Sequence, residues 1–244
     1  MRLVPKILVP VLVAGIFLLI YGLSRVALPP GSGSKDAPIA DRLPLVELPV
    51  AGANNDLLAI ILSGDGGWAD LDRDFGHAFQ RRGVATIGFD CLKYFWKARQ
   101  PDEVAADLES AIRHYLSAWS KQRLVLVGYS FGADWLPFLV NRLPADLEER
   151  VGLVALLAPG ESTNVEIKVG DWMTDSVRPG ALRVLPEAAS LRPPVLCVYG
   201  TDEADESICP RLKAPNVRLL RMPGGHHFNH AYAPIQDAIL QAVK

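Results

Sequence analysis

The chain has 244 residues, 50% of them hydrophobic and 21% charged, with 25 basic groups against 27 acidic and a formal net charge of −2. With half its residues apolar, it can bury a substantial core without disulfide stapling, and intrinsic disorder is excluded. No Lys/Arg run is dense enough to track a phosphate backbone, so nucleic-acid binding is not expected. Cys91, Cys197 and Cys209 lack the C-x-x-C spacing of a zinc site, and no metal is expected.

At the amino end, Arg2 and Lys6 precede the uncharged apolar stretch Ile7–Leu23. It is longer than the ~7–15-residue core of a signal peptide and at the short limit of a membrane span. Residues 1–25 are therefore expected to be a signal peptide or a membrane anchor. The anchor is favoured, because Ser24-Arg25-Val26-Ala27 is a poor cleavage site. Residues 26–42, with Pro29-Pro30-Gly31-Ser32-Gly33-Ser34, read as a tether, and 43–244 as one globular domain. Positive charge ahead of the stretch keeps the amino terminus in the cytoplasm and places the domain outside it. In a bacterium that compartment is the oxidising periplasm, where Cys197 and Cys209 could pair and leave Cys91 over.

Continuous Val/Ile/Leu runs at Leu57–Leu62, Val84–Phe89, Arg123–Gly128, Val151–Leu157 and Pro194–Tyr199 predict strands buried on both faces, with Val217–Met222 a sixth, partly polar one. Between them, Leu71–Arg82, Pro101–Trp119, Phe131–Leu143 and Ala231–Lys244 read as helices. In the second, Val104, Leu108, Ile112 and Leu116 recur every fourth residue on one face. Alternating strands and helices predict an α/β fold with a doubly wound, mainly parallel sheet. The segment Glu161–Leu191 is mixed, with a strand expected at Asn164–Val169 and Asp171-Trp172-Met173 a candidate cap over the site.

Gly128-Tyr129-Ser130-Phe131-Gly132 joins a predicted strand to a predicted helix. This is G-x-S-x-G in the strand–turn–helix context that exposes a nucleophilic serine, with helix-terminal amides beside it for a developing oxyanion. In that arrangement an acid and then a histidine follow in the chain. Histidine arrives in Gly224-Gly225-His226-His227-Phe228, where His226 is favoured over His227 as the base and the other is structural. His77 and His114, within predicted helices ahead of the nucleophile, read as structural, and His230 as the front of the final helix. The acid comes from Thr201-Asp202-Glu203-Ala204-Asp205-Glu206, with Asp205 favoured ahead of Glu203 and Asp202. A second oxyanion donor is expected from the glycine loop Ser63-Gly64-Asp65-Gly66-Gly67-Trp68, which is no P-loop. Asp65 either bonds within its own turn or faces the pocket to meet an amine.

Together Ser63–Trp68, Tyr94-Phe95-Trp96, Gly128–Asp134, Tyr199-Gly200 with Glu203-Ala204-Asp205 and Cys209-Pro210, and Pro223–Phe228 resemble the VirJ/AcvB family of bacterial α/β-hydrolases, over roughly residues 57–244. The resemblance implies an exported, virulence-associated protein at the inner membrane. It also implies hydrolysis of the aminoacyl ester of phosphatidylglycerol, releasing lysine or alanine. Longer members carry an extra amino-terminal domain, where here only the anchor and tether are expected ahead of the hydrolase domain. On this reading His226 takes the proton of Ser130, Asp205 steadies the imidazolium, and amides of Phe131 and the Gly64-Asp65 turn hold the oxyanion, without cofactor. The rival expectations are a non-catalytic module binding a partner of an envelope secretion system, and a general periplasmic carboxylesterase or thioesterase. Tyr94-Phe95-Trp96, flanked by Lys93 and Lys97, either packs in the core, which is favoured, or meets the membrane interface.

Overall fold

The computed structural model describes residues 38–52, 55–168, 170 and 178–243. The expected anchor, residues 1–25, and the candidate cap Asp171-Trp172-Met173 lie outside the described residues.

The described residues begin with a short helix, α1 (Ile39–Arg42), followed by β1 (Leu45–Leu48), β2 (Leu57–Leu62), α2 (Asp70–Arg81) and β3 (Ala85–Phe89). Then come α3 (Cys91–Tyr94), α4 (Pro101–Ala118), β4 (Arg123–Tyr129), α5 (Phe131–Val140), α6 (Ala145–Glu148) and β5 (Val151–Leu157). A small hairpin, β6 (Ser162–Thr163) and β7 (Leu182–Arg183), leads into α7 (Val184–Ala189). The chain closes with β8 (Val195–Gly200), β9 (Val217–Met222) and α8 (Ala233–Ala242).

Seven strands form one sheet in the order β1-β3-β2-β4-β5-β8-β9, with β1 antiparallel to β3 and every other pairing parallel. All six residues of β2 and all five of β3 are buried, as strands covered on both faces must be. One core layer joins α4 and α5 to the sheet through Leu108, Ile112, Trp135 and Leu139. The other packs Phe75 and Phe79 of α2 and Ile235 and Ile239 of α8 against Ile61, Val125 and Val127. The α/β-hydrolase fold follows from this doubly wound arrangement.

Two expectations are corrected. The tether was expected to reach residue 42, but Ile39–Arg42 is helical, and Ile39 and Leu43 belong to the core beside α4. Asn164–Lys168, expected as strand, has none; pairing comes just before it, Ser162 to Arg183 and Thr163 to Leu182. Residues 164–168 are instead fastened by single bonds. Asn164 accepts from the Trp135 indole, and Ile167 N–H donates to Phe95.

Registers carry the site. Leu62 lies opposite Gly128, Tyr129 opposite Leu157, and Gly200 opposite Met222. The carboxyl ends of β2, β4, β5, β8 and β9 thus finish at one edge, and their following loops converge there, as ligand-binding loops do in open α/β sheets.

Candidate active site

Ser130 stands between β4 and α5 with φ of 52° and ψ of −120°, a left-handed conformation unusual for a non-glycine residue. The turn is sharp because both flanking glycines are crowded. A Cβ on Gly132 would lie 2.3 Å from the Leu62 carbonyl oxygen, and one on Gly128 would lie 2.5 Å from that of Gly132. The backbone holds the strained turn, since Ser130 N–H donates to Leu157 and its carbonyl accepts from Asp134 N–H.

His226 Nε2 lies 2.8 Å from Ser130 Oγ, and His226 Nδ1 lies 3.0 Å from Glu203 Oε2. This is a hydroxyl–imidazole–carboxylate relay. With Nδ1–H donated to the carboxylate, Nε2 is free to accept the hydroxyl proton, and the carboxylate stabilises the cation that results. The side chains of His226 and Glu203 are 37% and 29% exposed, so the relay opens to the surface.

The favoured acid, Asp205, is corrected to Glu203. β8 runs straight into a 3₁₀ turn, Thr201–Glu203, so the third residue past the strand already faces the histidine loop. The two loops meet tightly: a Cβ on Gly200 would lie 2.4 Å from the carbonyl oxygens of Gly224 and Gly225. Asp202 and Asp205 are exposed, and Asp202 Oδ1 accepts from Thr201 Oγ1. The Glu203 carbonyl also accepts from Glu206 and Ser207 N–H, while Ser207 Oγ donates to Pro159. Cys197 and Cys209 form a disulfide that closes this same loop, and Cys91 is free and buried.

His227 has a different job. Its Nδ1 is 2.8 Å from the hydroxyl of Tyr129, and its ring stacks on His230, which in turn bonds Tyr232. Tyr129, the variable residue before the serine, thereby pins the histidine loop. Sequence reasoning missed this bond, because nothing local links positions 129 and 227.

The glycine loop borders the nucleophile, since a Cβ on Gly64 would come 3.6 Å from Ser130 Cβ. Phe131 opens α5 directly after Ser130, so its N–H has no intrahelical acceptor. Ser63 sets the loop from below, its Oγ accepting from Cys91 N–H and donating to the Gly64 carbonyl.

A cavity of about 110 Å³ beside the serine is lined by Ser130, Asp134, Gly160, Glu203, Glu206 and His226. Asp134 accepts from Gly160 N–H at 2.7 Å. Burial holds its carboxyl well above the usual range against that bond, and the charge of Asp65 pushes the same way. Asp134 also escaped the sequence reading, although it sits one helical turn after Ser130 and so on the same face. No cluster of metal-ligating side chains occurs among the described residues.

Three solved structures share the fold. The esterase Est1E from Butyrivibrio proteoclasticus, with ferulic acid bound, is 14% identical, with 81% of this chain and 92% of that one covered and a TM-score of 0.59. The esterase Pf2001 of Pyrococcus furiosus is 16% identical over 88% and 96%, TM-score 0.55. Proline iminopeptidase of Mycobacterium smegmatis is 14% identical over 82% and 94%, TM-score 0.55. No curated protein matches the sequence. Residues 56–244 match the family described as bacterial virulence protein (VirJ), which takes in the glycine loop, the serine turn and the histidine loop alike, and the chain belongs to that family.

Proposed function

We propose that this protein is an exported serine esterase that hydrolyses the aminoacyl ester of phosphatidylglycerol. One observation carries the reading: Ser130, His226 and Glu203 form a continuous relay at the mouth of an acid-walled cavity. Ser130 Oγ attacks the ester carbonyl while His226 Nε2 takes its proton. The tetrahedral oxyanion is held by the amides of Phe131 and the Gly64-Asp65 turn. His226 then returns the proton to the departing glycerol oxygen, leaving the aminoacyl group on Ser130. Water, deprotonated by His226, releases the free amino acid and restores the serine.

The acyl group of such a substrate carries an ammonium. Asp134, Glu203 and Glu206 line the cavity, and an arriving ammonium would favour the ionised form of the Asp134 carboxyl that burial disfavours. Export is supported by the apolar stretch Ile7–Leu23 behind Arg2 and Lys6 and by the Cys197–Cys209 disulfide. A retained anchor would hold the enzyme in the bilayer that holds its substrate, raising its effective concentration there.

The test incubates the full chain and Ser130→Ala with vesicles containing lysyl- or alanyl-phosphatidylglycerol and follows free amino acid by mass spectrometry. The parent is expected to release amino acid, and the variant to lose at least ~10³-fold. Turnover of simple esters without lipid turnover would point to a general carboxylesterase. Inertness to both in a folded protein would leave a partner-binding module.

A further inference from the structure

Trp96 is 56% exposed, although Tyr94 and Phe95 before it are 3% and 0% exposed. The expectation for this aromatic cluster therefore divides, two residues going to the core and one to the surface. The exposure does not come from a loose segment. Tyr94 donates its hydroxyl to Asp107 at 2.5 Å, and Phe95 packs against Phe131 and Trp135 at centroid distances of 5.0 and 4.5 Å. Trp96 is displayed from a fixed platform.

Beside it lies an apolar groove of about 430 Å³, walled by Leu43, Pro44, Leu92 and Trp96. Lys93 and Arg42 stand at its rim, with Lys97 exposed one residue past the tryptophan. Lys93 pairs with Asp90, which is itself buried, and Arg42 bonds Ser110 Oγ. Asp41 is the acidic residue on the rim. An exposed indole next to aliphatic walls and a mainly basic rim matches an anionic membrane interface, where indole rings settle at headgroup level and basic side chains meet lipid phosphate.

The path of the chain points to the same occupant. The groove is built in part from residues 40–44, the start of the folded domain. The apolar stretch ends at Leu23, and positions 24–37 can span at most about 50 Å. If Ile7–Leu23 sits in a bilayer, the domain is attached at the groove itself. Leu92 also touches the catalytic end of the sheet, because a Cβ on Gly67 would lie 3.1 Å from Leu92 Cβ. Phe95, one residue before Trp96, packs on Phe131 beside the nucleophile.

We infer that the Trp96 groove is a bilayer-docking surface that seats the domain on anionic phospholipid with Ser130 turned toward the headgroups. The inference rests on the lipid-esterase reading for its kinetic consequence but not for docking itself, and the experiment separates the two. The full chain and Trp96→Phe are reconstituted in vesicles of phosphatidylglycerol and phosphatidylethanolamine, with and without bromine on the phospholipid acyl chains. Docking predicts that brominated lipid quenches at least half of the emission that Trp96→Phe removes; equal quenching of parent and variant overturns it. Trp96→Glu is then expected to slow aminoacyl-lipid turnover in vesicles at least ~10-fold while leaving a soluble aminoacyl ester within ~2-fold. An equal loss on both substrates overturns the docking role. If the parent turns over neither substrate, the esterase reading fails, and the quenching result still decides docking. Dispersal of a dimer by Trp96→Glu, without quenching in the parent, would assign the groove to a second copy of the chain and overturn the lipid assignment.

Discussion

Replacing Glu203 by Gln tests the site most directly, with Asp205→Asn as its control. Glu203 Oε2 lies 3.0 Å from His226 Nδ1, and Asp205 is exposed beyond the turn. A hydrogen bond to a charged partner is worth roughly 1.5–3 kcal/mol. With the Glu203 side chain 29% exposed, water replaces part of that, so the lower half of the range applies: about 13–45-fold in rate, at tenfold per 1.36 kcal/mol. Glutamine adds a second penalty. Its amide N–H can face Nδ1 and favour the tautomer whose Nε2 carries a proton, which cannot take the one on Ser130. In the serine-protease triad the equivalent change costs ~10⁴ with a fully buried acid. We therefore expect Glu203→Gln to lower kcat about 10²–10³-fold on a soluble aminoacyl ester with KM within about threefold, and Asp205→Asn to change neither by more than about twofold. Steady-state kinetics on the two purified variants decide it. Equal damage from both substitutions, or a Glu203→Gln enzyme retaining a third of its rate, would refute the relay.

The paired histidines should separate as cleanly: His226→Ala is expected to lose ~10³-fold or more in kcat, whereas His227→Ala and Tyr129→Phe, which break one neutral bond worth ~0.5–1.5 kcal/mol, should lose no more than about tenfold. Asp134→Asn should raise KM for a lysyl or alanyl ester about 10–100-fold and leave an uncharged acyl ester unaffected, so a parallel rise in both would count against an ammonium contact. Removing the disulfide by Cys197→Ala and Cys209→Ala releases the loop bearing Glu203, at an expected cost of about 3 kcal/mol, or a Tm lower by roughly 6–12 °C in calorimetry. A shift under about 2 °C would show the loop to be held without it. Asp72, whose Oδ1 is buried without a partner, has its carboxyl raised to about 7, chiefly by burial. The folded state then binds a proton that the unfolded state gives up near pH 4, so stability falls as pH rises from about 4 to 7 and levels off above. Asp72→Asn should remove that fall, and urea titrations should show its advantage growing to at most about 4 kcal/mol by pH 7–8.

The parts of the fold legible in the sequence are those with a strong local signal. Five of the apolar runs are strands because each must be buried on both faces, whereas the sixth, β9, is a partly polar edge strand with only Met222 buried, and α4 follows from its four-residue apolar spacing and Pro101 at the first turn. What escaped was short or set by contacts distant in sequence. β1 is four residues of partly exposed edge strand, stabilised by pairing Leu45 with Phe89, and its own pattern shows only weak alternation. α1 is helical because Ile39 and Leu43 find room in the core beside α4, a fact the neighbouring Gly/Ser-rich composition conceals. Around residues 162–183 the hairpin carries two residues per strand, too few for any periodicity to register.

The site divides along the same line. Ser130 can be read because its turn demands glycine at both flanks within five residues, and His226 because the glycines before it mark a loop rather than a helix. The acid could not be read that way, since Asp202, Glu203 and Asp205 share one loop and one chemistry. Selection among them depends on how the β9 loop crosses the end of β8. That crossing brings Gly225 so close that a Cβ there would lie 3.3 Å from Glu203 Oε1. A 3₁₀ turn begins at Thr201, so Glu203 is where the chain first faces the imidazole, while Asp202 is spent on the hydroxyl of Thr201. The same closeness explains why glycine stands at 200. Any side chain there would push the histidine loop off the strand end and lengthen the 3.0 Å bond that orients His226. Gly200→Ala should therefore damage the relay without touching any of its three members. The loss should appear in kcat, together with a weaker preference for Glu203 over Gln at position 203, because in the displaced loop that carboxylate would no longer hold the imidazole.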